Sequence, residues 1–276
     1  MCSSDLWPYT KRMVANPTVN QGAAVIVTSL ARARTAGIAE SRLVYFWGGA
    51  AANEPRDYLD RDQYYQSYAQ DAVLEAALRV TAGRGFDALE LYSCFPCVPK
   101  MARRTLGLDE NVQPTVTGGL TFFGAPLNNY MTHAICAMAR RIRGDGGLGL
   151  VYGQGEFVTK HHAIVLSAEQ ADHRLAPVDS AVQAEADIRR GPVPAFVEAT
   201  TGPAALETFT VIYDRDGRPA HGVVLTLLQD GRRTMARVPA DDEDTIERLV
   251  SLDRSPIGDG GILRASADGI SHWQAV

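Results

Sequence analysis

Apolar and polar residues alternate along the first half of the chain in blocks that predict strands separated by helices. The run AAVIVTS at 23–29 and the run LVYFW at 43–47 are continuously apolar, which is typical of strands buried on both faces. Between them, LARARTAG has a helical composition and ends at Gly37, and glycine is favoured just after a helix. Residues 50–66 are polar and contain Pro55, so we expect a loop there.

The alternation continues beyond this loop. Apolar residues at helical spacing predict a helix at 68–81, and the run FDALELY predicts a strand at 86–92. The elements predicted further along are helices at 98–106 and 127–143 and paired strands at 149–152 and 162–167. Strands that alternate with helices in this way indicate a layered α/β fold that ends near residue 168.

After residue 168 the pattern changes. Residues 169–190 are charged and alanine-rich, which predicts a linker helix, whereas residues 191–276 favour β-structure. Two Asp-Gly pairs, at 216–217 and 230–231, lie between alternating apolar runs, and such pairs are strong hairpin signals. We therefore predict a small barrel-like domain, built from a three-stranded meander, a helix at 242–252 and a last strand at 261–265.

Composition limits the class of function. The formal net charge is −5, and the chain from Arg190 onward carries 13 Asp and Glu against nine Arg. This balance argues against nucleic-acid binding, which needs clustered basic residues. Every apolar stretch is far shorter than the roughly 20 residues that span a bilayer. Four cysteines are too few for a disulfide framework, so we predict a cytoplasmic protein. We also expect that the protein has neither a cofactor nor a metal.

The first six residues, MCSSDL, do not continue naturally into WPYT and resemble a translated sequencing adapter. We therefore expect residues 1–6 to be foreign to the natural protein and the natural chain to extend further upstream. The alternative is an ordinary disordered N-terminus.

Two local features could carry chemistry. Cys94-Phe95-Pro96-Cys97 has the spacing of a redox or zinc pair, but zinc would need two further ligands. A redox pair would lie at a helix N-terminus, as we predict here, and two small buried cysteines are the alternative. His161 and His162 adjoin a strand, whose neighbouring residues face opposite sides, so only one of them can line a given pocket.

Several segments, in matching order and spacing, resemble the thiolase superfamily over residues 13–168. NPTVNQGAAVIVTSLARARTAGI, from Asn16, resembles the stretch around xGAAAxxxxS at the start of the thiolase C-terminal half. DALELYSCF lies where thiolases have E-[IL]-[NH]-E-A-F, TGGLTFFGAPLNNY matches the frame of GGxxxxGHPxGxSG, and GLGLVYGQG occupies the place of CxGGG. The form GGLTFFGxPxNNY and the added C-terminal domain are similar to a branch often labelled acetyl-CoA acetyltransferase.

This resemblance implies a fold class and a set of domains. Residues 7–168 would form the C-terminal half of the thiolase fold, which is a layered α/β/α arrangement. A linker would follow at 169–190, and residues 191–276 would form an additional barrel similar to an OB-fold.

The resemblance also assigns the catalytic positions of thiolases, and this chain departs from them. The histidine of GHP is replaced by Ala125 and the cysteine of CxGGG by Val151, and neither side chain can exchange a proton. Tyr92 stands at the oxyanion-hole position, where its hydroxyl could still donate a hydrogen bond. The thiolase nucleophile belongs to an N-terminal half, which we expect upstream.

Much of the thiolase pocket frame nevertheless persists. The resemblance implies an acyl or pantetheine group of a coenzyme A ester near Phe123 and Asn129, while packing of a loop on its helix is the alternative. The candidate substrate-binding residues are Thr121, Phe123, Asn128, Asn129, Tyr152 and His161.

We therefore expect a thiolase-like protein of acyl-CoA or lipid metabolism that has lost catalysis and acts by binding or as a partner subunit. The alternatives are an acyl-CoA acyltransferase whose nucleophile lies in an N-terminal half, a protein-interaction module, and a CxxC oxidoreductase. Thiolases assemble through their cores, so the resemblance implies a homo-oligomer or a thiolase-like partner subunit. A half fold should also expose apolar surface and associate.

Overall fold

The computed structural model describes residues 6–171 and 180–276, which form two compact units. The α/β unit comprises residues 14–56 and 66–190, and the barrel unit comprises the N-terminal segment up to Met13, the loop Asp57–Tyr65 and residues 191–276. Residues 1–5 of the adapter-like segment and residues 172–179 of the predicted linker lie outside the described residues.

The α/β unit is a four-stranded sheet with helices on both faces. Its sheet order is β1-β4-β3-β2, in which β2 and β3 are parallel and the other pairs are antiparallel. Its elements are α1 Leu30–Thr35, β1 Tyr45–Asn53, α2 Tyr68–Val80, β2 Ala88–Leu91, α3 Cys97–Leu106, α4 Tyr130–Asp145, β3 Leu148–Gly155, β4 Lys160–Ser167 and α5 Gln183–Asp187. The predicted layered α/β/α fold class is therefore confirmed.

Two helices cover opposite faces of this sheet. They pack closely on it because small residues line the contacts. The alanine-rich helix α2 buries Ala69, Ala72, Ala76 and Ala77 completely against β1 and β4. On the other face, α4 packs on β3, where a Cβ at Gly149 would come within 2.4 Å of the Met138 sulfur. Side chains of adjacent β3 residues therefore enter different cores, because strand neighbours face opposite sides.

The predicted strand at 23–29 is wrong. No strand is assigned there, Ile26 is 96% exposed and Val27 is 89% exposed, and a helix begins at Leu30. The segment runs beside α4, since the amide Nε2 of Gln21 donates to the Phe123 carbonyl and the Cys136 thiol donates to the Ala24 carbonyl. A β-branched run forms a strand only when another strand pairs with its backbone, and no described strand does so here.

The barrel unit forms a six-stranded sheet of order β10-β9-β6-β7-β8-β5, which a parallel pairing of β10 with β8 closes. The two predicted Asp-Gly turns connect β6 to β7 and β7 to β8, with Gly217 and Gly231 at positive φ as such turns require. Its elements are β5 Phe196–Val197, β6 Gly202–Tyr213, β7 Pro219–Leu228, β8 Arg233–Pro239, α6 Glu243–Val250, β9 Gly260–Arg264 and β10 His272–Ala275.

The barrel has the arrangement of an OB-fold. Five strands close in the order first-second-third-fifth-fourth, and α6 lies between the third and the fourth of them. Trp273, which is 1% exposed, fills the core beside Leu206 and Val224. The predicted meander, helix and last strand are confirmed in outline, whereas β5 and β10 were not predicted.

A single arginine ties the loop Asp57–Tyr65 to the barrel. The guanidinium of Arg233 is completely buried, pairs with both carboxylate oxygens of Glu207 at 2.5 and 2.7 Å, and stacks on the ring of Tyr64. It also donates to the carbonyls of Leu59 and Arg61 at 2.9 and 2.6 Å. The loop therefore belongs to the barrel unit although it follows a strand of the α/β sheet.

Candidate acyl-binding site

The thiolase-like motifs converge at the carboxyl ends of the parallel strands β2 and β3, the edge where open α/β sheets bind ligands. Tyr92 follows β2 directly, and its backbone N–H donates to the Tyr152 carbonyl on β3 at 3.1 Å. The glycine-rich segment 117–126 lies across the same end, because Leu120 N–H donates to the Ser93 hydroxyl at 3.2 Å.

A buried glutamate holds this segment in place. Glu90 on β2 is completely buried, and its carboxylate accepts from the backbone N–H groups of Val116 and Thr117 at 3.0 and 3.1 Å. It also accepts from the hydroxyls of Thr115 and Tyr130 at 2.8 and 2.5 Å. Burial, followed by the neighbouring Glu90 charge, raises the pKa of Tyr130, so this phenol stays a donor. The glycine-rich segment is thus fixed at the point where it leaves Thr117.

Three of the predicted site residues meet in one small cluster. Ala125 is 8% exposed and packs with Leu120 and Tyr130, against which Tyr92 and Phe123 are also packed. The Phe123 ring meets the Tyr130 ring edge-on with centroids 5.9 Å apart. Position 125, where thiolases carry a catalytic histidine, therefore contributes only a methyl group to an apolar and aromatic wall.

Beside this wall lies a cluster of a phenol, a thiol and an amide. The amide of Gln154 donates to the Cys94 sulfur at 3.0 Å, and Cys94 is hydrogen-bonded to Tyr92. Burial is the main cause that raises the pKa of Cys94 to about 11, and burial also raises the pKa of Tyr92. Both groups are therefore neutral near pH 7, and Cys94 is a protonated thiol with little nucleophilic character.

Val151 lies apart from this cluster. It is 2% exposed and packs with Ala134, Met138 and Ile142 of α4, in a core separate from that of Ala125. The position of the second thiolase cysteine is therefore occupied by an aliphatic side chain that packs a helix on the sheet.

Tyr152 and His161 do come together, but inside the opposite core. The Tyr152 hydroxyl is 2.7 Å from His161 Nδ1 and accepts from the Gln70 amide at 2.9 Å, and all three side chains are completely buried. On its other side, His161 Nε2 is 3.2 Å from the Ser67 hydroxyl, which donates to Glu54 at 2.7 Å. This chain of internal bonds indicates a structural network, since it joins α2 to β3 and β4.

The polar residues of the loop are more exposed. Asn128 is exposed and Asn129 is half-buried, and both lie in a short 3-10 helix before α4. Thr121 donates its hydroxyl to the Val14 carbonyl at 3.0 Å. Of the candidate set, Phe123, Asn128 and Asn129 are thus placed where a ligand could reach them, whereas Tyr152 and His161 are not.

The two cysteines of the CxxC motif lie at the start of α3. Cys97 is the first residue of α3, Cys94 precedes it in the connection from β2, and both are in the thiol form and not in a disulfide. A redox pair needs a lowered thiol pKa, and the pKa of Cys94 is raised, which argues against the oxidoreductase alternative. Within residues 6–171 and 180–276, no three His, Cys, Asp or Glu residues are grouped so that they could hold a metal ion.

Comparisons with known proteins find a family match for residues 182–269 and a structural match for the chain as a whole. Residues 182–269 match the family described as the thiolase-like protein type 1 additional C-terminal domain. The chain as a whole resembles a crystal structure described as a monomeric SCP2-thiolase like protein type 1 from Mycobacterium smegmatis, with 34% identity and a TM-score of 0.83. The chain is a thiolase-like protein.

The similarity covers 98% of this chain and 58% of the mycobacterial thiolase-like protein. A search of curated proteins finds no match. The relative is described as monomeric, so the predicted oligomer of this thiolase-like protein stays a prediction. The helices in the described part are all too short or too polar to cross a membrane.

Sequence reasoning missed the buried polar residues Glu90 and Gln154, which support the site, and Glu54, Ser67 and Gln70, which build the separate network around Tyr152 and His161. One signal was visible: Glu90 is an acidic residue between two leucines in the strand predicted at 86–92. A buried carboxylate needs several hydrogen-bond donors to be stable. The sequence does not show that the Thr115–Thr117 segment supplies these donors, because the segment reaches Glu90 only in the folded chain.

Proposed function

We propose that this thiolase-like protein binds acyl groups of coenzyme A esters at the carboxyl ends of β2 and β3 and does not catalyse thiolysis. The observation that supports the proposal most strongly is the pairing of an apolar wall with neutral polar groups. Ala125 and Phe123 supply the wall, while Cys94 and Tyr92, with raised pKa values, supply hydrogen bonds without a nucleophile or a base.

The same geometry supports the proposed loss of catalysis. Thiolysis needs a base that activates the nucleophile and an acid that protonates the leaving group. Ala125 and Val151 occupy the positions at which the thiolase resemblance places those groups, and the nearest thiol is protonated at neutral pH. We therefore propose that the protein takes part in acyl-CoA or lipid metabolism by binding a coenzyme A ester and not by converting it.

Calorimetry tests the binding step. Titration of the chain with acetoacetyl-CoA should give saturable heat, and Phe123→Ala should weaken binding about tenfold, because a buried aromatic contact is lost. Phe122→Ala is the matched control, since Phe122 is 89% exposed. Absence of heat with every coenzyme A ester would refute the proposal, and equal effects of the two variants would move the site elsewhere.

A separate assay tests the loss of catalysis. In a chain that includes the expected N-terminal half, the rate of thiolysis of acetoacetyl-CoA by free coenzyme A, followed by the loss of enolate absorbance, should equal the rate in buffer. A rate above buffer that Tyr92→Phe abolishes would instead favour the alternative of an active acyltransferase.

A partner-subunit role is the second candidate, and an exposed apolar surface favours it. Val25, Ile26 and Val27 are exposed on a segment with which no described strand pairs, and Phe122 and Leu127 are also strongly exposed in the same unit. Monomeric proteins rarely leave large apolar patches uncovered. Sedimentation equilibrium of the chain should show association that weakens when these residues are made polar, whereas an ideal monomer at all concentrations would refute the role.

A further inference from the structure

The outer face of the barrel carries an apolar groove that the acyl-binding proposal does not use. Val223 of β7 and Met235 of β8 form its floor, while Phe196 and Ile270 stand on its rim, 39% and 37% exposed. The inward-facing neighbours Val224, Ala236 and Val238 fill the barrel core, so the groove residues are the outward set of the same strands.

The position of the groove is one where barrels of this type bind ligands. The second and third strands of the barrel form its floor, and residues 269–270, in the connection between the fourth and fifth strands, form one wall. In OB-folds these strands and this connection recognise extended polymers. The volume of about 320 Å³ is at the low end for small-molecule pockets, and it suits one or two large side chains.

The charge of the barrel determines which class of polymer can bind in the groove. Residues 191–276 contain 13 acidic residues and eight Arg, which is a net charge of −5 before counting histidines. In the groove, Arg237 is neutralised by Asp268 at 3.2 Å, whereas Glu198 makes no ion pair within the described residues. A polyanion would be repelled, so nucleic acid does not fit this surface.

One end of the groove leads to a run of acidic residues. His221 in the groove is the register partner of Pro239, and the run Asp241, Asp242, Glu243, Asp244 begins two residues later. Three members of the run, Asp241, Glu243 and Asp244, are exposed and make no ion pair in the part of the chain that the structure describes. Burial and the neighbouring Arg237 lower the pKa of His221, so this imidazole is mostly neutral at pH 7.

We propose that this groove docks a basic peptide segment of a partner protein, with an apolar side chain held between Phe196 and Ile270 and basic residues facing Glu198 and the acidic run. Apolar anchors supply the affinity of such interfaces, and charges on the rim supply selectivity and association rate. The inference concerns the barrel alone and does not depend on acyl-CoA binding by the α/β unit.

Fluorescence anisotropy with three labelled nine-residue peptides tests the proposal on the full chain. The first peptide alternates Lys with Leu and Phe, the second replaces the apolar residues by Ser, and the third replaces Lys by Glu. We expect saturable binding of the first, at least tenfold weaker binding of the second and none of the third. Comparable binding of the first two peptides would reduce the effect to unspecific charge attraction and overturn the proposal.

Variants locate the binding. Ile270→Ser and Glu198→Gln should each weaken binding of the first peptide at least fivefold, and both positions are exposed, so the fold is kept. The matched controls are Leu252→Ser, at a side chain that is 88% exposed, and Glu247→Gln, and neither should change the affinity. Equal effects of test and control variants, or displacement of the peptide by decanoate at the groove, would overturn the peptide assignment.

Discussion

The two units of this chain satisfy their backbones in different ways. In the barrel, β8 pairs with both β7 and β10 and β9 pairs with both β6 and β10, so the strands close on one another. In the α/β unit the sheet ends at β1 and β2, and the β-branched segment at 23–29 is left without a pairing strand among the described residues. A closed barrel has no free strand edges with which another chain could pair. An exposed apolar segment without a pairing strand can instead associate with another chain.

The buried charged side chains of the two units also differ in the groups that they contact. The barrel buries the ion pair of Arg233 with Glu207, which fixes a loop contributed from elsewhere in the sequence. The α/β unit buries Glu90 among neutral donors, which fix the site, whereas its buried Glu54 accepts from the Ser67 hydroxyl and also pairs with Arg190 at 3.1 Å. Loss of one member of a buried ion pair leaves the other charge without its partner. The Arg233 side chain is 0% exposed and the Arg190 side chain is 19% exposed, so the pair in the barrel should be the more sensitive of the two.

The largest expected effect is therefore the loss of Arg233. Arg233→Ala leaves the Glu207 carboxylate and the Leu59 and Arg61 carbonyls without their buried donor, which should lower the free energy of unfolding by about 3–5 kcal/mol. Urea unfolding followed by fluorescence measures this in a Trp47→Phe background, in which the two remaining tryptophans lie in the barrel unit.

Arg232 is the matched control for that measurement. It is the neighbouring residue, and its pair with Asp230 is half exposed on both sides, so Arg232→Ala should cost about 0–1 kcal/mol. Similar losses in both variants would show that the buried pair is no more important than an ordinary surface pair.

The thiol of the α/β site gives the next effect. Because burial raises the pKa of Cys94 to about 11 from an ordinary 9.0, its thiolate fraction at pH 8 should be about 100-fold below that of an unfolded chain. Alkylation of the Cys94 peptide by iodoacetamide, quantified by mass spectrometry in the absence and presence of urea, should be slowed by that factor in the folded state. Labelling of the folded chain at the unfolded rate would contradict the neutral site.

The sign of the pH dependence follows from the same shift. A raised folded-state pKa means that the folded state disfavours ionisation of Cys94, so this contribution to stability is intact below pH 9. It is lost as the pH rises from 9 through about 11. Cys94→Ser should therefore flatten the alkaline part of the stability curve, and an unchanged slope would assign the alkaline loss to other groups.

Sequence alone predicts most of this fold because its elements are locally encoded. The helix α2 and the two hairpins of the barrel depend on spacing and on Asp-Gly turns within a few residues, and all three are found where predicted. The prediction of a strand at 23–29 is wrong because a strand needs a second strand to pair with, and the local sequence pattern does not show whether that second strand is present. The partition of Tyr152 and Val151 into opposite cores follows from strand alternation, but which core each one enters depends on the packing of α2 and α4.

Glu90 tests the interior of the α/β unit directly. Glu90→Gln keeps the shape but turns an NH₂ group towards some of the N–H and O–H donors that now reach the carboxylate, which should cost about 2 kcal/mol. Circular dichroism during urea unfolding reports on this unit, since five of the six α-helices within residues 6–171 and 180–276 belong to it. Glu40→Gln, which alters an exposed pair with Arg34, is the control and should cost less than about 1 kcal/mol.

The smallest expected effect concerns the open side of the α/β unit. If the segment at 23–29 associates with another protein chain, Ile26→Asp removes a side chain that is 96% exposed in the isolated chain and becomes buried on association. The loss of about 1.5 kcal/mol of apolar burial should weaken self-association about tenfold in sedimentation equilibrium, without a change in the free energy of unfolding. Leu252→Asp, at an equally open position of the closed barrel, should leave association unchanged. If both variants weaken association equally, exposed apolar area in general drives it, and the contrast between an open and a closed unit fails.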